Sequence, residues 1–276
     1  MKLFTSLINT IKEHFRLKLI ICFILCAILP LLILGTISYK ISYNIAKDKI
    51  LKETAISCEK NQHLLENRMT QIENLEDSIH FNLCMLCTTA EQPMSNYLDK
   101  LSAVRNNIAS IADSFNIYHV NIFLPDDSFA SKEGLTFCSL SDLKKYKVQL
   151  SDFSKQGLTP NWIFRKDINF PYMVSKGEEP SGVLSCYRYA KINSQKTCLA
   201  VHITSEELSN YLNTFSEGNP SLSYIINSEG VVLSSTDKKQ IGGSLSNEKL
   251  HAITQNLRLS HFSYDKCEII STRSEE

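Results

Sequence analysis

Cys84 and Cys87 stand three positions apart in Cys84-Met85-Leu86-Cys87, the spacing of a redox thiol pair or of half a zinc site. A zinc site needs further ligands, and neither a second C-x-x-C nor a spaced histidine pair accompanies this one. On a helix, positions three apart share a face. Here that face adjoins Leu83 and Leu86, so thiols packed as small hydrophobes are the ordinary outcome. Asp126-Asp127 lacks the spaced carboxylates of a calcium loop and suits a hairpin turn. None of the histidines, His14, His63, His80, His119, His202, His251 and His261, sits with Ser, Asp or Cys in a recognisable nucleophile motif. The expectation is no catalysis, no metal and no cofactor, with thiol exchange at Cys84 and Cys87 as the alternative from another class.

The elements that must position these residues begin with an apolar run. Leu19 to Ile37 carries no charge, and at about 1.5 Å per residue a helix of that length covers ~28 Å, close to the hydrocarbon thickness of a bilayer. It is longer than a usual signal-peptide core, and no Ala-x-Ala-like site follows, which favours an uncleaved anchor over a secreted binding protein. Lys2, Lys12, Arg16 and Lys18 precede the run and Lys40, Lys47, Lys49 and Lys52 follow it, so the positive-inside count is a tie. A short cytoplasmic tail with a large extracytoplasmic domain is the common outcome, because long domains translocate largely regardless of charge. The 29 basic and 29 acidic residues fall to 25 and 28 once the four basic residues and Glu13 of positions 1–39 are removed. That balance gives no nucleic-acid surface. Of nine cysteines, seven lie beyond the run, an odd number whose spacing matches no disulfide framework.

Beyond the anchor the period is helical. Leu65, Met69, Ile72, Ile79, Leu83 and Leu86 follow three-and-four spacing, with Glu76 interrupting. This predicts one helix from about Ser38 to about Cys87, standing well above the membrane. Pro93 breaks it, and Tyr97, Leu101, Val104, Ile108, Ile111 and Phe115 mark a second helix. The period then becomes two: Ile117 to Leu124 reads as a strand, closed by the turn Pro125-Asp126-Asp127. A short helical segment is expected near Leu140–Phe153. Gly182–Ile192 and Thr197–Thr204 read as a strand pair around Asn193-Ser194-Gln195-Lys196. Ser205 opens a helix as its N-cap, ending near Phe215. Leu222–Asn227 and Val231–Ser235 form a second pair around Ser228-Glu229-Gly230. A helix at Asn247–Leu257 and a last strand at Phe262–Ile270 follow.

Three segments carry a resemblance: Leu-Lys-Leu-Ile at 17–20, Ile-Leu-Pro-Leu-Leu-Ile-Leu-Gly at 28–35, and Tyr-Ile-Ile-Asn-Ser-Glu-Gly-Val-Val-Leu-Ser-Ser at 224–235. With Ile241-Gly242-Gly243-Ser244-Leu245 after them, the chain resembles the N-terminal, membrane-anchored double-Cache sensor region of Gram-positive sensor histidine kinases. The resemblance implies an α+β fold with one N-terminal transmembrane helix, long helices, a PAS-like antiparallel sheet and a second, incomplete PAS-like subdomain. The implied organisation is a cytoplasmic tail 1–18, a span 19–37, helices 38–115, a membrane-distal subdomain 116–204, a linking helix 205–216 and a truncated membrane-proximal subdomain 217–276. A second span and a kinase core are expected of such receptors and are not found in this sequence, so the chain is expected to be the input half alone. The same input half serves chemoreceptors and membrane-tethered AraC-type regulators.

A Cache pocket lies between the sheet and the segments over it. By the resemblance, its candidates here are His119 and Asn121, which share a strand face with Phe123, then Tyr187, Arg188 and Tyr189, and Trp162 and Tyr172 in the covering segment. Tyr187 and Tyr189 share one face and Arg188 points oppositely. The Arg-x-Trp-Tyr-type cluster of amino-acid sensors is missing, because Trp162 is followed by Ile163, Phe164 and Arg165. The implied partners are a small-molecule ligand or an extracytoplasmic binding protein, the membrane, and a second copy in a homodimer.

Overall fold

The computed structural model describes residues 15–87, 94–125, 135–146, 160–166, 180–192, 195–212, 222–246, 251, 259–264 and 267–272. Chain contacts divide it into two units, Met1–Ile56 and Ser57–Glu276.

Helix α1, Phe15–Cys87, begins in the first unit. Its stretch from Leu19 to Ile37 exposes nearly every large apolar side chain. It is long and apolar enough to cross a membrane, and none of its most apolar window is buried in the protein. Pro30 lies inside the helix, where it removes one backbone donor. The Thr36 hydroxyl donates to the Leu32 carbonyl at 2.9 Å. Just past the run, Tyr39 and Tyr43 stack with ring centroids 6.3 Å apart, the residue type that settles at membrane–water boundaries.

In the second unit, Ile72, Leu75, Ile79 and Leu83 of α1 are buried at the predicted spacing. Glu76 does not interrupt that stripe by turning outward; it is wholly buried within it. Helix α2, Met94–Ser114, adds Ile108 and Ala112. Phe115, expected to continue its stripe, lies beyond the helix end and is exposed. The helix stops because Asn116 takes φ of 51°, a left-handed conformation that Asn tolerates better than most residues. Asn116 N–H then donates to Asp113 O at 3.0 Å and Ile117 N–H to Ala112 O at 2.8 Å, the paired closure of a Schellman end.

The chain turns there into a five-stranded sheet. Its strands are β1 (His119–Leu124), β2 (Leu135–Ser139), β3 (Asn161–Arg165), β4 (Val183–Ile192) and β5 (Gln195–Thr204), in spatial order β2-β1-β5-β4-β3. β1 and β2 are parallel and the other pairs antiparallel. The sheet lays Val120, Ile122, Leu135, Leu184, Cys186, Leu199, Val201 and Ile203 against the helices. Both faces of β1 are buried, so its alternation separates two interiors rather than inside from outside.

A short 3-10 helix, Leu140–Tyr146, covers the start of the helical segment expected at 140–153; the remainder lies outside the described residues. Helix α3 spans only Ser205–Ser209, with turns to Leu212. Its N-cap is Thr204, whose hydroxyl accepts from Glu207 N–H at 3.1 Å. Ser205, the expected cap, instead donates its hydroxyl to Leu233 O at 2.7 Å, and Ser234 returns a bond to Ser205 O at 2.8 Å. These bonds dock the two-stranded pair β6 (Tyr224–Ile226) and β7 (Val232–Ser235). Gly182 sits where the sheet meets α3: a Cβ there would lie 2.7 Å from the Phe164 ring and 2.9 Å from Ser205 Oγ. The last segment is a hairpin, β8 (Leu259–Tyr264) with β9 (Cys267–Thr272), rather than the single expected strand. The helix expected at 247–257 lies outside the described residues apart from His251.

Candidate functional site

The sheet face turned away from the helices carries polar groups in an interior. Its apolar frame is Phe123, Cys138, Leu143, Tyr187, Cys198 and Ala200. Strand register sets the polar groups in rows. His119 pairs with His202, and His202 with Ser185, so three neighbouring strands contribute one row. Asn121 pairs with Ala200 and Ala200 with Tyr187 in the next, with Thr136 beside Asn121 on β2. His119, Asn121, Thr136, Ser185 and His202 are all at most 2% exposed.

The bonds within this layer are short. His119 Nε2 lies 2.8 Å from Thr136 Oγ1, and His202 Nδ1 lies 2.7 Å from Ser185 Oγ. The two imidazoles stack with centroids 6.4 Å apart, and Tyr187 meets His202 edge-on at 6.1 Å. Asn121 Oδ1 is buried with no hydrogen-bond partner among the described residues. An orphaned buried acceptor is rare enough to need a cause. The Arg165 guanidinium stands 5.9 Å over the Tyr187 ring, a cation–π distance. Burial pushes the Tyr187 phenol up to about 12, with Arg165 opposing. Burial also holds His202 well below the ordinary histidine value, reinforced by His119 and Arg165, so its imidazole is neutral at physiological pH.

A serine 2.7 Å from a histidine is half of an activated nucleophile. The other half is a carboxylate that orients the base. None of the described strand positions on this face is acidic: beside the residues already named they include Asn161, Ile163, Val183, Lys191, Lys196 and Thr204. Two imidazoles, that of His202 neutral, with a hydroxyl pair, an amide and one guanidinium suit recognition of a small polar molecule.

The structure divides the sequence candidates. His119, Asn121, Tyr187 and Tyr189 share this layer. Trp162 belongs to strand β3 rather than to a covering segment; it packs toward α1 and its indole N–H donates to Glu73 Oε1 at 3.1 Å. Arg188 also faces α1, with Nε 3.4 Å from Glu76 Oε2 and a second contact to Asp77. Tyr172 lies outside the described residues. Sequence reasoning missed Thr136, Ser185, His202 and Arg165: alternation along β4 selects Ser185 together with Tyr187, whereas Thr136, His202 and Arg165 join the layer through strand register. It also missed Arg68, which donates to Glu207 from Nε at 2.9 Å and to Phe115 O, tying α1 to α3 and to the end of α2.

Thiol chemistry has a weak setting. Cys84 is half-buried with Sγ 3.7 Å from His80 Nε2, and the Cys87 side chain lies outside the described residues. Cys138, Cys186 and Cys198 are buried, and burial pushes the thiols of Cys186 and Cys198 up, away from reactivity.

No family model and no curated protein matches this chain. Three solved structures that the chain matches are these. The sensory domain of the Campylobacter jejuni chemoreceptor Tlp3 with isoleucine bound has a TM-score of 0.50 at 13% identity, over 81% of this chain and 86% of that one. The ligand-binding domain of Tlp3 in complex with 4-methylisoleucine gives 0.48 at 14%, over 81% and 85%. The ligand-binding domain of the Pseudomonas fluorescens chemoreceptor CtaA in complex with L-serine gives 0.43 at 16%, over 78% and 83%. Likeness to the isoleucine-bound Tlp3 domain over four-fifths of both chains, together with the long helix and the mixed sheet, gives the chain an α+β fold similar to that domain's.

Proposed function

We propose that this chain is the ligand-sensing input region of a membrane-anchored receptor. The observation that carries it is the buried row His119–His202–Ser185, with Asn121 Oδ1 left without a partner among the described residues beside it. A fold that hides hydrogen-bonding groups on the face away from its main core, with Asn121 Oδ1 and the Tyr187 hydroxyl unsatisfied among the described residues, is built to receive something polar. The Tlp3 domain of like fold was crystallised with isoleucine, which supports a small molecule as the ligand. The ligand side chains are His119, Asn121, Tyr187 and Tyr189, joined by His202, Ser185 and Arg165. Trp162 and Arg188 act from the opposite face.

In this reading residues 116–204 form the sensing subdomain and 217–276 belong to a second one. The exposed run Leu19–Ile37 is the anchor, the sensor lies outside the cell, and the receptor works as a homodimer without catalysis in the sensor. The output is a histidine kinase of the Gram-positive type. A chemoreceptor is the second reading, favoured by the Tlp3 fold likeness. The test is a thermal-shift screen of the full chain in detergent micelles against pooled metabolites. A hit that raises the midpoint, and that is lost in Asn121→Leu, supports the reading. A hit unaffected by that change, or no hit across the pools, counts against it. Protease added to intact cells should remove residues beyond 40; protection would overturn the orientation.

A further inference from the structure

Strand β4 faces two ways. Ser185, Tyr187 and Tyr189 belong to the polar layer, while Cys186 and Arg188 meet α1. The Cys186 thiol donates to Glu76 Oε2 at 3.4 Å. Arg188 Nε lies 3.4 Å from the same oxygen, and its Nη1 contacts Asp77. The two carboxylates are successive residues of one helix in opposite surroundings: the Glu76 side chain is 0% exposed and that of Asp77 63%. Glu76 Oε1 has no hydrogen-bond partner among the described residues. One guanidinium is therefore divided between a carboxylate fully inside and one in water.

Successive helical positions are rotated by about 100° around the axis. A small turn of α1, or a small slide of β4, would change which carboxylate holds the larger share of Arg188. The charge at stake is the Arg188 guanidinium, whose side chain is only 14% exposed; a largely buried guanidinium that loses its acceptor is penalised, so the exchange favours two discrete arrangements over a continuum. We propose that Arg188 is the positioning residue that couples the polar layer to α1. It is a clasp through which displacement of Tyr187 and Tyr189 sets the placement of the helix around Glu76. The physiological trigger rests on the ligand-sensing reading above; the clasp itself is testable without a ligand.

The experiment uses the full chain in lipid nanodiscs and reads amide hydrogen exchange across residues 68–83. Ala200→Val serves as a wedge, adding bulk in the row between Asn121 and Tyr187; Tyr187→Phe is the milder version. Either should change exchange in α1 severalfold. In an Arg188→Gln background the change should fall to less than half. Asp77→Asn, at an exposed position that folding tolerates, should also shrink it. If neither perturbation reaches α1, or if the effect persists undiminished in both Arg188→Gln and Asp77→Asn, the clasp is overturned. A working clasp with no metabolite hit would sink the sensing reading and leave the clasp standing. A metabolite hit with a failed clasp would do the reverse.

Discussion

At the scale of single residues, the molecule holds polar groups where an ordinary core would hold none. Asn121→Leu is nearly isosteric and removes an acceptor that has no partner among the described residues, whose burial costs about 1–3 kcal/mol. The expected result is a protein as stable as the parent or more so by ~1 kcal/mol in denaturant titration, with any metabolite response abolished. A loss of more than 2 kcal/mol would mean that the amide is structural. Glu76 and His202 give opposite dependences on pH. Burial raises Glu76 from 4.5 to about 8, with Arg188 opposing. The folded chain then holds that proton more tightly than the unfolded one, and stability falls as pH rises from 4.5 towards 8. His202 lies below its ordinary 6.5, so its contribution is present above pH 6.5 and is lost on acidification. Between pH 6.5 and 8, of these two groups Glu76 alone contributes a slope, approaching ~1.4 kcal/mol per pH unit for one proton. Thermal melts should show that decline in the parent and a flattened profile in Glu76→Gln. The buried Glu was visible in the sequence as a charge at a stripe position. Its partner was not, because nothing in one sequence says which strand will lie across the helix.

At the scale of elements, ends and caps decide how the sheet is presented to the helices. Asn116 stands at φ 51°, so Asn116→Gly should be neutral or slightly stabilising and Asn116→Val should cost about 1–2 kcal/mol. Thr204→Ala removes the cap of α3 and should cost about 1 kcal/mol, measured by chemical unfolding; Ser205→Ala tests the docking of β7 instead. The sequence pointed to these elements through period and punctuation. Three-and-four spacing marked α1 and α2, and alternation marked β1, β4 and β5. The cap fell one residue from where composition put it, because Thr204 and Ser205 are chemically alike and only the tertiary bond to Leu233 separates them. Trp162 was misplaced for a similar reason: Asn161–Arg165 is too short and too mixed to announce itself as an edge strand. The polar layer was half legible. Alternation gave its members on β1 and β4, whereas His202 on β5 and Thr136 on β2 joined it only through register.

For the whole molecule, the apolar run and the sheet-bearing unit make separate demands. Leu29→Arg places a charge near the middle of the run, at a cost of ~2.5–3.5 kcal/mol for membrane insertion. Carbonate extraction should then release a measurable share of the protein, while the parent stays in the pellet. Parent protein in the supernatant would remove the anchor from the proposal. Fold class was legible from the order of helical and alternating segments. The terminal hairpin was not, since Asp265-Lys266 is a weak break without Gly or Pro between two short, mixed segments.

Strand order has a consequence for synthesis. β5 lies between β1 and β4 in space yet is the last of the five to be made, ending at Thr204. Until that residue has left the ribosome, β1 has no antiparallel neighbour and the sheet remains in two halves. The emerging polypeptide must therefore wait with apolar edges uncovered, a period in which holding factors have the most to bind. Nascent chains arrested near residue 190 should be digested by brief protease pulses, and those arrested well past Thr204 should begin to resist.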